Sequence, residues 1–127
     1  MASKLTTKDL GDQGEDRALR HLQGQGLVLV ERNYRVARGP SARGAEIDLI
    51  MQDTDGTLVF VEVRQRRSDA QGGAAASISR GKQHRCIRGA RHYLQTLRTW
   101  PPCRFDVVAI DGDALNWIPH AFDATGW

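Results

Sequence analysis

Apolar positions recur along this chain with two periods. In 6–23, Ala18, Leu19 and Leu22 form a stripe at helical spacing, closed by Gly24 and Gly26, which predicts a first helix. The helical period returns near Ser77 and runs to about Leu97. There Ile87, Ala90, Leu94 and Leu97 recur three or four residues apart and should face a core. Trp100-Pro101-Pro102 stops that helix, because proline lacks the amide that helix propagation needs. The other apolar runs are short, β-branched and aromatic: 27–30 with a continuation through Tyr34 and Arg35, 46–50, 58–64, 105–110 and 115–118. These read as strands. Asp55-Gly56, inside the polar segment 52–57, marks a hairpin between 46–50 and 58–64, and Asp111-Gly112-Asp113 marks another.

This order predicts an α/β sandwich, a central mixed β-sheet flanked by helices. The continuous apolar run 58–61 suits a central strand covered on both faces. A chain of 127 residues makes a single domain, 1–127, with 120–127 as a short tail. Its 40% hydrophobic and 26% charged residues suit a soluble globular protein. No apolar run approaches the roughly 18 residues of a membrane span, and 1–6 lacks the apolar core of a signal peptide. A cytoplasmic location follows as the expectation. Cys86 and Cys103 fit no zinc or redox spacing and are expected as free thiols, and His21, His84, His92 and His120 show no metal-ligand pairing.

Two acids break the strand pattern. Asp48 lies between Ile47 and Leu49, and Glu62 follows the run 58–61. A hairpin that brings two carboxylates together makes them repel, and the pKa of at least one rises. A divalent cation relieves both the repulsion and the cost of burial, and Mg²⁺ takes one or two carboxylates with water and phosphate oxygens. Pairing of both acids with arginines at strand ends is the equal rival on spacing alone. Glu62 and Arg64 should share a face, since strand side chains alternate. Glu15 falls on the apolar stripe of the first helix, where an acid is either functional or, with Asp12, part of a capping box.

The net charge of +3 matters less than its make-up: fifteen arginines against three lysines. Arginine grips phosphate bidentately, which favours a nucleic acid partner, although a GC-rich genome produces the same bias. Arg38 and Arg43 lie in a Gly, Pro and Ser loop just before Asp48. Arg66 and Arg67 open the next loop, and Arg80, Arg85 and Arg88 lie on the second helix. These are candidates for backbone grip; a solvated linker and a solvated helix face are the plainer readings.

Gly44-Ala45-Glu46-Ile47-Asp48-Leu49-Ile50 with Leu58-Val59-Phe60-Val61-Glu62-Val63-Arg64 resembles the PD-(D/E)XK signature of restriction-endonuclease-like nucleases. The chain is more closely similar to the YraN-type family, related to archaeal Holliday junction resolvases. That likeness extends through Gly11-Asp12-Gln13-Gly14-Glu15-Asp16-Arg17-Ala18, Glu31-Arg32-Asn33-Tyr34-Arg35, Lys82-Gln83-His84-Arg85, Ala90-Arg91-His92-Tyr93-Leu94 and Arg104-Phe105-Asp106-Val107-Val108 to Ala121-Phe122. The resemblance implies a restriction-endonuclease-like sandwich and a nuclease using Mg²⁺ or Mn²⁺. Asp48 and Glu62 would be metal ligands completed by Glu15, and Gln83 would lie near the site. The implied substrate is DNA, branched DNA by analogy with the resolvases, and two-fold substrates would call for a homodimer. Arg64 stands where the signature carries lysine. Arginine stays protonated and cannot act as a base, but it can stabilise a pentavalent phosphate. Arg64 is also what favours the rival reading, a nucleic acid-binding module that kept the fold and lost turnover.

Overall fold

The computed structural model describes residues 7–37, 44–66 and 78–124. Its elements are α1 (Thr7–Gly24), β1 (Val28–Val36), β2 (Ala45–Gln52), β3 (Leu58–Arg66), α2 (Arg80–Leu94), β4 (Cys103–Asp111) and β5 (Ala114–Phe122). The strands form one five-stranded sheet in the order β1-β2-β3-β4-β5. Neighbouring strands are antiparallel except β3 and β4, which run parallel. A parallel pair needs a crossover, and α2 provides it. The chain is therefore α/β with a mixed central sheet.

The helices cover opposite faces. Ala18 and Leu22 of α1 pack on Leu49, Met51, Val59, Val61, Val108 and Ile110. Cys86, Ile87, Ala90 and Leu94 of α2 pack on Ile47, Ile50, Leu58, Phe60 and Phe105. In β3 the alternation is strict, with Val59 and Val61 toward α1 and Leu58 and Phe60 toward α2. Val59, Phe60 and Val61 are fully buried, as the apolar run 58–61 requires of a central strand.

Local chemistry sets the boundaries. Gly26, at φ 98°, lets the amide of Leu27 reach back to the Leu22 carbonyl at 3.1 Å and closes α1. The Asp53–Thr57 turn puts Gly56 at φ 89° and is closed by the Asp53 amide on the Thr57 carbonyl at 2.9 Å. Ser79 caps α2, its Oγ accepting from the Lys82 amide at 3.1 Å.

Two boundaries differ from expectation. α2 ends at Leu94 and turns through 95–99, with Leu97 still packed against the α2 core; Ser77, the expected start, lies outside the described residues. β5 continues to Phe122, so the expected tail from His120 is shorter. Phe122 pairs with Phe105 in register and stacks on it at 5.1 Å between ring centroids. That apolar contact holds the strand past the point where the sequence pattern weakens. Cys86 is buried and Cys103 exposed, both as free thiols.

Candidate active site

The site begins where two strands part. The β2–β3 ladder runs from Gln52↔Leu58 to Leu49↔Val61 and stops. Just beyond, the Val63 amide donates to Oδ2 of Asp48 at 2.8 Å, so a side chain supplies the acceptor for this amide of β3. At this point β2 changes faces. Ile47 packs under α2, but Leu49, two residues on, packs under α1. The neighbouring β1 makes the same change: Arg32 reaches the acids of α1, whereas Tyr34 packs into the α2 cluster. Between them Asn33 sits at φ 55°, a left-handed conformation that asparagine tolerates better than most residues. The reversal leaves Asp48 directed across the widening gap to β3.

β3 keeps its alternation, so Glu62 and Arg64 stand on the α2 face, as the sequence requires. They meet Asp48 at a cavity of about 200 Å³ lined by Glu46, Asp48, Glu62, Val63, Arg64, Lys82 and Arg85. Burial first, then the charge of Glu62, pushes the Asp48 carboxyl up to about 8, against the pull of the Val63 amide. Burial also raises Glu62, opposed by its hydrogen bond with Asp48 and by the charges of Lys82 and Arg64. Both carboxyls are thus raised, chiefly by burial, and they titrate as a pair.

Such a pair fits a hard divalent cation. Its donors are carboxylate oxygens, they face an open cavity, and a cation would relieve their mutual repulsion. Among the described residues, no three His, Cys, Asp or Glu side chains gather as a ligand group. Water and phosphate oxygens would have to complete the coordination, as is usual for Mg²⁺.

The other expected residues separate. Glu15 lies in the interior of α1, as does Asp12, so the capping box is overturned: the helix starts at Thr7. Its carboxylate lies 3.5 Å from Nε of Arg32, whose Nη1 also binds Asp16 at 2.6 Å. It is not among the residues lining the cavity. Gln83 donates from Nε2 to the Ile78 carbonyl at 3.5 Å and is likewise outside the lining. Arg88 donates to the Gly44 carbonyl at 3.2 Å, tying α2 to the start of β2. Arg85 lines the cavity, 3.7 Å from Glu46, and Arg80 is exposed at the first position of α2. Arg66 is the last residue of β3. Arg38, Arg43 and Arg67 lie outside the described residues.

Sequence reasoning assigned no role to two of the lining residues, Glu46 and Lys82. A signal for Lys82 existed. It precedes the buried Cys86 by four residues and Ala90 by eight, so it extends the core-facing stripe of α2 with a cation. Charge on an apolar stripe is the same signal that singled out Glu15.

The profile of the uncharacterised protein family UPF0102 matches residues 14–110. The chain is 61% identical over 121 residues to a UPF0102 protein of Methylibium petroleiphilum, covering 95% of this chain and 99% of the relative. It is 57% identical over 123 residues to a UPF0102 protein of Paracidovorax citrulli, covering 97% and 89%. With a UPF0102 protein of Cupriavidus taiwanensis it shares 60% identity over 114 residues, covering 90% and 82%.

Proposed function

We propose a divalent-metal-dependent nuclease of the restriction-endonuclease-like, PD-(D/E)XK class for this chain, which belongs to the uncharacterised protein family UPF0102. The observation that carries the reading is the Asp48–Glu62 pair, two largely buried carboxylates facing one cavity also lined by Arg64, Lys82 and Arg85. Acids and cations on one small cavity suit a phosphodiester and a metal together.

Asp48 and Glu62 would hold Mg²⁺ or Mn²⁺, and the Val63 amide fixes the Asp48 carboxylate at 2.8 Å for that task. Bound there, the ion would lower the pKa of a water and polarise the scissile phosphate. Arg64 would stabilise the negative charge that develops on the phosphate oxygens. The remaining arginines would grip backbone, which positions a nucleic acid without reading its sequence. DNA, and branched DNA in particular, is the proposed substrate by the likeness to archaeal Holliday junction resolvases, and a homodimer would match a two-fold junction.

The test is cleavage of a labelled panel with Mn²⁺: four-way junction, flap, duplex, and single-stranded DNA and RNA. Asp48→Ala, purified identically, is run beside the wild type. Metal-dependent cutting of the junction, lost in the variant, is the expected result. Equal cutting by both proteins overturns the site. Arg64, where the nuclease signature has lysine, favours a second reading, a binding module without turnover. Binding of a panel member with no cutting by either protein establishes that one instead.

A further inference from the structure

The acids of the cavity come from strands, Glu46 and Asp48 on β2 and Glu62 on β3. Its cations come from β3, Arg64, and from α2, Lys82 and Arg85. Arg85 has a partner in Glu46 at 3.7 Å. Lys82 differs. Its backbone amide is bound by Ser79 Oγ, but among the described residues its side-chain ammonium makes no hydrogen bond or ion pair, although the residue is partly buried. An ammonium on the cavity wall that is tied into no ion pair can meet an anion arriving there. A lone metal ion would be repelled by Lys82, and a lone anion by the carboxylates. A phosphodiester lying against an ion on Asp48 and Glu62 satisfies both walls.

We propose that Lys82 contacts a non-bridging oxygen of the bound phosphodiester from the helix side of the cavity, opposite the Asp48–Glu62 pair. The inference rests on the nuclease reading above and adds a catalytic residue to it. Contact from α2 and metal from β2 and β3 would hold the phosphate between two layers of the fold. Burial, and next the charge of Arg64, hold the Lys82 ammonium below the ordinary lysine value, against the opposing charges of Glu62 and Asp48.

The chain has only three lysines, Lys4, Lys8 and Lys82, so the side-chain spectrum of ¹³C-lysine-labelled protein is simple. Lys82→Arg assigns the Lys82 signal. The probe is the dinucleotide thymidylyl-thymidine, titrated in Ca²⁺. The Lys82 ε-methylene signal should move saturably while those of Lys4 and Lys8 stay, and Asp48→Asn should abolish the movement. In single-turnover cleavage with Mn²⁺, Lys82→Met should slow cutting about a hundredfold with Mn²⁺ affinity kept or raised. A Lys82 signal unmoved by the dinucleotide, or cutting by Lys82→Met at the wild-type rate, overturns the inference. The two failures separate: an unmoved signal beside Asp48-dependent cleavage removes Lys82 and leaves the nuclease. A moved signal with no cleavage of any substrate leaves the Lys82 contact and removes the nuclease.

Discussion

Asp48 concentrates the chemistry of this protein at a single residue. Its carboxyl is raised from 3.8 to about 8, so the folded chain holds the proton more tightly than the unfolded one. Stability from this group is therefore full below the unfolded value and is lost as pH rises through about 8. Glu62 is raised as well and acts in the same direction. In EDTA, Asp48→Asn should be more stable than the wild type at about pH 8 to 9, by on the order of a few kcal/mol, with the gap closing toward pH 4. Urea unfolding across pH reads this, and a gap independent of pH would refute the buried pair. Mn²⁺ should narrow the gap. The wild type gains about 2.7 kcal/mol at a hundredfold excess over Kd, and the asparagine variant, with one ligand weakened, gains much less.

Among the elements, α2 decides whether the cavity has a second wall. It lies close over β2: a Cβ built on Gly89 would come within 2.9 Å of Cγ1 of Ile47, a side chain with no exposed surface. Glycine in a helix interior ordinarily costs up to about 1 kcal/mol relative to alanine, so Gly89→Ala would stabilise a helix with room for it. Here overpacking should win, and Gly89→Ala should lose about 1–3 kcal/mol, with Gly89→Val worse. Chemical denaturation checks the sign; a stabilised Gly89→Ala would mean that Ile47 yields freely. The same close seat carries Lys82 and Arg85 to the cavity rim.

Across the whole molecule, a buried charge ties elements far apart in sequence. Asp106 of β4 is fully buried. Its carboxylate accepts from Arg104 Nε at 3.1 Å, from Trp117 Nε1 at 2.9 Å and from the His120 amide at 3.1 Å. Arg104 continues to Asp53 in the β2–β3 turn at 2.8 Å. The β4–β5 register shifts at this point, between Phe105 and Val107, and the bulge is what leaves the His120 amide free for Asp106. Asp106→Ala would take the acceptor from three part-buried donors and should cost about 1–3 kcal/mol, read as a lowered urea midpoint. A loss below about 1 kcal/mol would show that water replaces the carboxylate.

Local patterning determined much of this protein. The periods of the apolar residues, the Asp-Gly turns and the Pro-Pro stop fixed seven elements and their order, because each depends on neighbours a few positions away. Two acids inside apolar runs stood out for the same reason, since burial makes their cost visible in sequence, and they line one cavity. Tertiary structure alone decided which charges meet. The face reversal at Asn33 and Asp48 defeats strict alternation, and no residue pattern along β1 or β2 announces it. Glu15, which the family resemblance made a third ligand, lies 3.5 Å from Arg32, a contact that its place on the helical stripe does not announce. Lys82, thirty-four residues after Asp48 in the chain, shares a cavity with the acids because the parallel β3–α2–β4 crossover returns α2 over β2 and β3. Such meetings depend on the path of the chain in space, which short-range spacing does not encode.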